Sequence, residues 1–254
     1  MRTSLLNALL YFPTARLDAT PRDAGLPYRD LEIPTEDGQR LHGWWIPHRG
    51  EGPPAGHLLH FHGNAGNISH RVDEAAALAG AGVDVLLFDY RGYGGSTGSA
   101  GEEGTYRDAR AARAALLRQP EVDPARIFYL GESLGGAVAL HLAAEAPPRG
   151  LVLRSTFTSV KDMARQHYPV VPAALVVDAY PSLARMGGLR VPLLIVHGDR
   201  DDIVPLSHGQ ALFAAAAEPK RLEVVRGAGH NDLLQVAGPA HAATLAGWMR
   251  TVAG

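Results

Sequence analysis

Cysteine is absent from the 254 residues. Disulfides, thiolate metal sites and a cysteine nucleophile are therefore excluded. Lysine is nearly absent: only Lys161 and Lys220 occur, so the positive charge is almost all arginine, a bias of the source genome and not a function. An excess of either charge is also lacking. The formal net charge of −2 gives no electrostatic reason to expect nucleic acid or an anionic membrane surface as a partner. The apolar stretch Leu5-Leu6-Asn7-Ala8-Leu9-Leu10-Tyr11-Phe12, closed by Pro13, is too short to cross a bilayer, which takes about 20 apolar residues. Thr14-Ala15-Arg16 after it makes a poor signal-cleavage site. The stretch is expected to be a short helix packed on the body of the domain, with a weak interfacial anchor as the alternative. A cytoplasmic location follows as the expectation, with peripheral membrane association as the second reading. What the chain does have is 46% hydrophobic and 20% charged residues, the make-up of an ordinary globular protein with ample core.

Strand-like and helix-like segments alternate, which predicts a mostly parallel sheet of about eight strands with helices on both faces, an α/β class. Tyr28 to Pro34 and Leu41 to Pro47 read as two strands joined by the turn Glu36-Asp37-Gly38, an antiparallel hairpin. Further strands are predicted at Leu58–His62, Val83–Asp89, Ile127–Leu130, Gly150–Arg154, Val191–His197 and Leu222–Arg226. Val83–Asp89 is nearly all apolar, as a strand buried on both faces should be. Helices are expected at Ser69–Gly80, Thr105–Arg118, Leu134–Ala146, Ser207–Ala217 and Gly238–Val252. The alternation breaks at 155–190, which carries Pro169, Pro172 and Pro181 and a short helical piece at Val160–His167. Loops beyond the carboxyl ends of parallel strands line binding crevices, so this segment is the expected short lid or pocket wall. It is too short to hold a core of its own, and one domain over 1–254 is the expectation.

Residues 131–135 read Gly-Glu-Ser-Leu-Gly where a predicted strand meets a predicted helix. The bare G-x-S-x-G pattern is weak, but in that setting it resembles the nucleophile elbow of the alpha/beta hydrolases. A sharp strand-to-helix turn lifts the Ser133 hydroxyl clear of the sheet, and side chains at 131 and 135 would collide with neighbouring backbone.

A serine hydroxyl needs a base to take its proton as it attacks, and histidine suits that task near neutral pH. Of the twelve histidines, His230 stands out, because Gly227-Ala228-Gly229-His230-Asn231-Asp232 is a glycine-rich loop just after the last predicted strand. The third member should be a carboxylate that fixes the imidazole. The loop His197-Gly198-Asp199-Arg200-Asp201-Asp202 offers three aspartates. Reach favours one a few residues past the strand end, which leaves Asp201 and Asp202 open, while Asp199 suits a turn brace. The order Ser, Asp, His is that of alpha/beta hydrolases. Negative charge on the attacked carbonyl oxygen needs waiting backbone N–H donors. Leu134 should supply one, and the loop His62-Gly63-Asn64-Ala65-Gly66-Asn67 the other, from Asn64 or Ala65.

The motifs H-G-N-A-G-N, D-Y-R-G-Y-G-G-S, G-E-S-L-G-G, H-G-D-R-D-D-I-V-P and G-A-G-H-N-D together resemble the serine aminopeptidase-type branch of the alpha/beta hydrolases, from about Tyr11 to the C-terminus. That branch includes membrane-anchored depalmitoylases and many bacterial serine hydrolases. The resemblance implies Asp201 as the acid, since the family's aspartate stands two residues before an aliphatic pair in this loop. With Asn64 taken as the second oxyanion donor, the expected activity is cleavage of carboxylic esters or thioesters of small to medium acyl groups. The expected partner is a small-molecule acyl substrate, with no cofactor. A peptidase or amidase acting at an N-terminal residue is the nearest rival, with Glu132 or Asp89 to hold an ammonium group. A non-catalytic binding protein on the same scaffold is the other.

Remaining features read as structural. His60 and His62 share a strand face, but no carboxylate lies near them in sequence, so they are read as bracing the oxyanion loop and not as metal ligands. Asp89-Tyr90-Arg91-Gly92-Tyr93-Gly94-Gly95 lacks the lysine and spacing of a phosphate-binding loop and is taken as a turn near the pocket. Glu132 is expected to pack away from the reacting carbonyl.

Overall fold

The computed structural model describes residues 10–168, 170 and 178–254. Its strands are β1 (Phe12–Pro13), β2 (Arg29–Pro34), β3 (Arg40–Ile46), β4 (Gly56–Phe61), β5 (Ala65–Gly66), β6 (Val83–Phe88), β7 (Ile127–Glu132), β8 (Gly150–Arg154), β9 (Leu193–Gly198) and β10 (Lys220–Val225). The helices are α1 (Val72–Gly80), α2 (Glu102–Leu117), α3 (Leu134–Glu145), α4 (Val160–His167), α5 (Ser182–Met186), α6 (Leu206–Ala215), α7 (Leu233–Ala237) and α8 (Ala240–Ala253).

Eight strands form one sheet in the order β10-β9-β8-β7-β4-β6-β3-β2, as the sequence pattern predicts. All neighbours are parallel except β2–β3 and β3–β6, so the hairpin at the start runs antiparallel as expected. The central strands β4, β6, β8 and β9 are buried along their whole length, which explains their near-continuous apolar runs. The edge strand β10 has no fully buried residue along its length.

Helices on both faces create two separate core layers, and neighbouring strand residues supply opposite layers. Trp45 packs in the layer that holds Tyr90, Tyr129 and Leu140, whereas Trp44 packs in the layer with Leu58, Leu78 and Met249. Each such fully buried side chain contributes about 1.5–3 kcal/mol relative to exposure. At Gly43 a side chain would run into the Leu87 carbonyl oxygen of the adjacent strand, at 2.7 Å, so β3 can approach β6 only with glycine there.

Predicted boundaries shift by a few residues at most elements; helix α4 and strand β8 match their expected ranges. Three features escape periodicity because they are too short to show it, the five-residue helix α7 among them. The two-residue strands β1 and β5 pair in parallel, with Phe12 opposite Ala65, and tie the N-terminal segment to the loop after β4. Helix α5 lies within the segment predicted as a lid. Pro169 and Pro172 of that segment, and Leu5–Leu9 of the N-terminal apolar stretch, lie outside the described residues. No helix among the described residues is long and apolar enough to cross a membrane.

Candidate active site

The turn between β7 and α3 places Ser133 at φ +52°, a left-handed backbone that a non-glycine residue holds at a cost of about 1–3 kcal/mol. Neighbouring structure fixes it there. The Ser133 N–H donates to the Arg154 carbonyl at 2.8 Å, tying the turn to β8. A side chain at Gly131 would strike the backbone of Gly135, and one at Gly135 would strike the carbonyl of Phe61. Both glycines are thus required by close approach, as the motif predicts.

Three loops converge on Ser133. His230, in the loop after β10, has its Nε2 3.2 Å from Ser133 Oγ. Its Nδ1 lies 2.8 Å from Asp201 Oδ2. A carboxylate can only accept, so Nδ1 carries the proton and the Nε2 lone pair faces the serine hydroxyl. Asp201 is wholly buried in its side chain, and its other oxygen accepts from the N–H of Ile203 at 3.1 Å and of Val204 at 2.7 Å. Burial pushes the Asp201 carboxyl up. The hydrogen bond and charge of His230 and the Val204 amide outweigh it, so its pKa lies below the usual aspartate value.

The choice among three aspartates, open from loop reach alone, is thus resolved geometrically to Asp201. Asp199 is the brace: its Oδ1 accepts from Gly227 N–H at 2.6 Å and joins the acid loop to the histidine loop. Within the histidine loop itself, the Asp232 Oδ1 accepts from the Gly229 N–H at 2.6 Å. Asp202 is exposed. Sequence reasoning did not single out His197, the last but one residue of β9. It is fully buried, and its Nε2 donates to the Val204 carbonyl at 2.7 Å. The Val204 N–H in turn donates to Asp201, so His197 braces the acid through a single residue.

Leu134 is the first residue of α3, where an N–H has no intrahelical acceptor. The side chain of Asn64 is committed elsewhere, with Nδ2 donating to the Leu10 carbonyl at 2.9 Å. Its carbonyl accepts from the Phe12 N–H and from the Tyr93 hydroxyl. Its backbone N–H, the group the oxyanion expectation requires, donates to no other backbone carbonyl among the described residues.

The surroundings of Glu132 and His60 depart from the sequence reading. Glu132 turns away from the serine, as expected, but into a buried ionic cluster. Arg154 binds Glu74 at 2.5 Å and Glu132 at 2.8 Å, and Arg71 binds Glu132 at 3.2 Å. The expectation that no carboxylate stands near His60 is corrected here. Glu74 and Glu132 come from other elements, and their oxygens lie with a His60 nitrogen within 4.8 Å of one another, close enough to hold a metal ion. Arg154 donates to both carboxylates, so a guanidinium already supplies the cation that such a group would need. His60 is not engaged with the oxyanion loop; its two ring nitrogens are buried without hydrogen-bond partners, and burial pushes it down to about 4. His62 does act as predicted, through Nδ1 donating to the Gly63 carbonyl at 2.7 Å.

A cavity of about 510 Å³ opens beside this cluster, lined by His230, Phe12, Ala65, Gly66, Arg71 and Glu132 among others. That is an ordinary size for a small-molecule site.

Sheet order, elbow and the Ser–Asp–His chain order define an alpha/beta hydrolase. The closeness to solved structures agrees. An esterase of Pyrococcus furiosus, Pf2001, superposes with a TM-score of 0.80 over 96% of this chain and 98% of its own, at 23% identity. Residues 52–183 match the family described as serine aminopeptidase, S33, and the chain belongs to that family. Its relatives include the uncharacterized protein Rv2307c of Mycobacterium tuberculosis, 50% identical over 88% of this chain and 80% of that protein. Protein bem46 of Schizosaccharomyces pombe is 32% identical over 80% of this chain and 70% of its own length.

Proposed function

We propose that this protein is a serine hydrolase that cleaves carboxylic esters or thioesters of small to medium acyl groups. The observation that carries the reading is the unbroken line of contacts from Ser133 Oγ through His230 to Asp201. Ser133 Oγ attacks the carbonyl carbon while its proton passes to His230 Nε2. The negative oxygen is held by the backbone N–H groups of Leu134 and Asn64. His230 then gives the proton to the departing oxygen or sulfur, leaving the acyl group on Ser133. Water, deprotonated by His230, attacks the acyl-enzyme and restores the serine. Asp201 keeps the imidazole in the required tautomer and steadies its charged form. These steps are proton and acyl transfers that the named groups supply, so the substrate is the only small molecule required besides water.

The family's name raises aminopeptidase action as the rival. Such an enzyme needs a free carboxylate for the substrate ammonium group. Glu132 lines the cavity, but two arginines already hold it, which weighs against that role. Turnover of p-nitrophenyl acyl esters against aminoacyl anilides tests the choice. Ester cleavage lost in Ser133→Ala, together with fluorophosphonate labelling of Ser133, is the expected result. Rapid anilide cleavage with inert esters overturns it in favour of the peptidase, and a folded protein inert to the label points to a binding protein.

A further inference from the structure

A second cavity, of about 550 Å³, adjoins the first, and His70, which faces Asp18 at 3.1 Å, Arg71, Glu132, Asn231 and Leu234 line both. It lies between α1 and the α7–α8 region, with Leu78, Leu234, Ala242 and Leu245 on its walls. None of the chemistry described above uses it. We propose that it is the leaving-group subsite, and that it takes an uncharged aliphatic arm on the departing alcohol or thiol.

Direction follows from the proton. This inference rests on the serine-hydrolase reading, in which the serine–carbonyl bond forms as the bond to oxygen or sulfur breaks, and His230 Nε2 protonates the departing atom. That atom must therefore sit against His230, and its substituent leaves on the His230 side. Asn231 and Leu234, the residues just beyond His230, lead from the first cavity into the second.

The class of arm follows from the charges. Arg71, Glu132, Arg154 and Glu74 run as a paired chain along the junction, two cations against two anions, so it offers no unbalanced charge to a ligand. His241, on the cavity wall, is held neutral at pH 7 because burial pushes it down to about 4. The acidic residue outside this chain, Asp73, is exposed on the outer rim. With the ion pairs matched and Ala77, Leu78, Leu234, Ala242 and Leu245 forming an aliphatic stretch of wall beside neutral Asn231 and Gln235, apolar burial is the main force left to select a ligand, worth about fourfold in affinity for each methylene fully buried.

The test varies the two halves of the substrate separately. One series holds the acetyl group and lengthens the thiol, from S-ethyl to S-butyl to S-octyl thioacetate, read by thiol release. The other holds p-nitrophenol and lengthens the acyl group from acetyl to octanoyl. The wild-type protein should prefer S-octyl over S-ethyl by at least about tenfold in kcat/KM. Ala242→Phe, which fills the cavity, should collapse that ratio toward one, while the ratio across the acyl series keeps its wild-type shape. Leu245→Ala enlarges the cavity and should raise the preference for the longer thiol, which keeps the test alive if Ala242→Phe does not fold. A wild-type protein indifferent to thiol length, variants that leave the thiol ratio unmoved, or variants that reshape the acyl series instead would each overturn the subsite. If neither series is turned over at all, the serine-hydrolase reading fails, a result distinct from a flat thiol profile.

Discussion

Glu132 and Ser133 are adjacent in the chain and face two different worlds. Ser133 stands at a partly open rim, where every polar atom of its histidine is partnered and one partner is poised to move. Glu132 enters a cluster of two arginines and two glutamates, with His60 buried beside it and unpartnered. The same residue types, histidine and carboxylate, therefore do opposite work one residue apart. At the rim, each ring nitrogen of His230 faces a partner, Ser133 on one side and Asp201 on the other. In the cluster, His60 is kept from ever taking one near neutral pH, because a charge there would lose its water. The comparison teaches that environment assigns chemistry to a residue type. It also explains why a buried cluster with metal-like spacing can be a brace: Arg154 neutralises Glu74 and Glu132 while its carbonyl holds the Ser133 amide.

The sharpest break between the two regions is at the acid. Asp201→Asn should lower turnover by about 10⁴-fold by disturbing the imidazole tautomer, whereas Asp199→Asn and Asp202→Asn should cost far less. Steady-state kinetics on one activated ester decides this, and near-normal activity in Asp201→Asn removes it from the role. The cluster should answer in stability instead. Arg154→Met leaves the buried Glu74 carboxylate unpaired, with Glu132 held by Arg71 alone, and should cost about 3–5 kcal/mol in urea unfolding. A loss below about 1 kcal/mol, the worth of a surface pair, would mean the cluster is better hydrated than its burial implies.

His197 joins the two behaviours, being buried like His60 yet linked to the acid. His197→Leu should slow kcat roughly tenfold with KM little changed, the worth of one buried hydrogen bond. His197→Gln can place an N–H near the Nε2 position and should recover most of that loss, while His197→Asn should not. Equal losses in kcat for all three variants would reduce His197 to a packing residue.

The buried histidines can also be probed through pH. His60 and His241 are both pushed down to about 4 by burial, below the ordinary 6.5. A depressed pKa means the unfolded chain binds protons that the folded one refuses. Their contribution to stability is thus complete above about pH 6.5 and drains as pH falls toward 4. Glu74 is held at about 2, because Arg154 outweighs its burial, so its contribution is lost lower still, from about pH 4.5 downward. Thermal melts from pH 7.5 to 4 should therefore decline progressively on the acid side. A flat profile from 6.5 to 4 would place solvent around these histidines.

Much of this protein was legible as sequence because its constraints are local. Apolar runs punctuated by glycine and proline mark the strands, and a steric demand at 131 and 135 marks the elbow. Those features fixed the fold class, Ser133 and His230, since a sharp turn and a flexible loop are encoded by the residues that form them. Tertiary structure supplied the rest. Loop reach left Asp201 and Asp202 equal and the family resemblance implied Asp201, but only the structure gives the physical reason, the loop's own amides fixing that carboxylate against His230. The partnership of Arg154 with Glu74 and Glu132, contributed by β8, α1 and β7, has no local trace, because ion pairs depend on distance in space and not along the chain. The second cavity likewise exists only where α1 and α8 fail to close on each other, a packing outcome to which each helix contributes an ordinary apolar face.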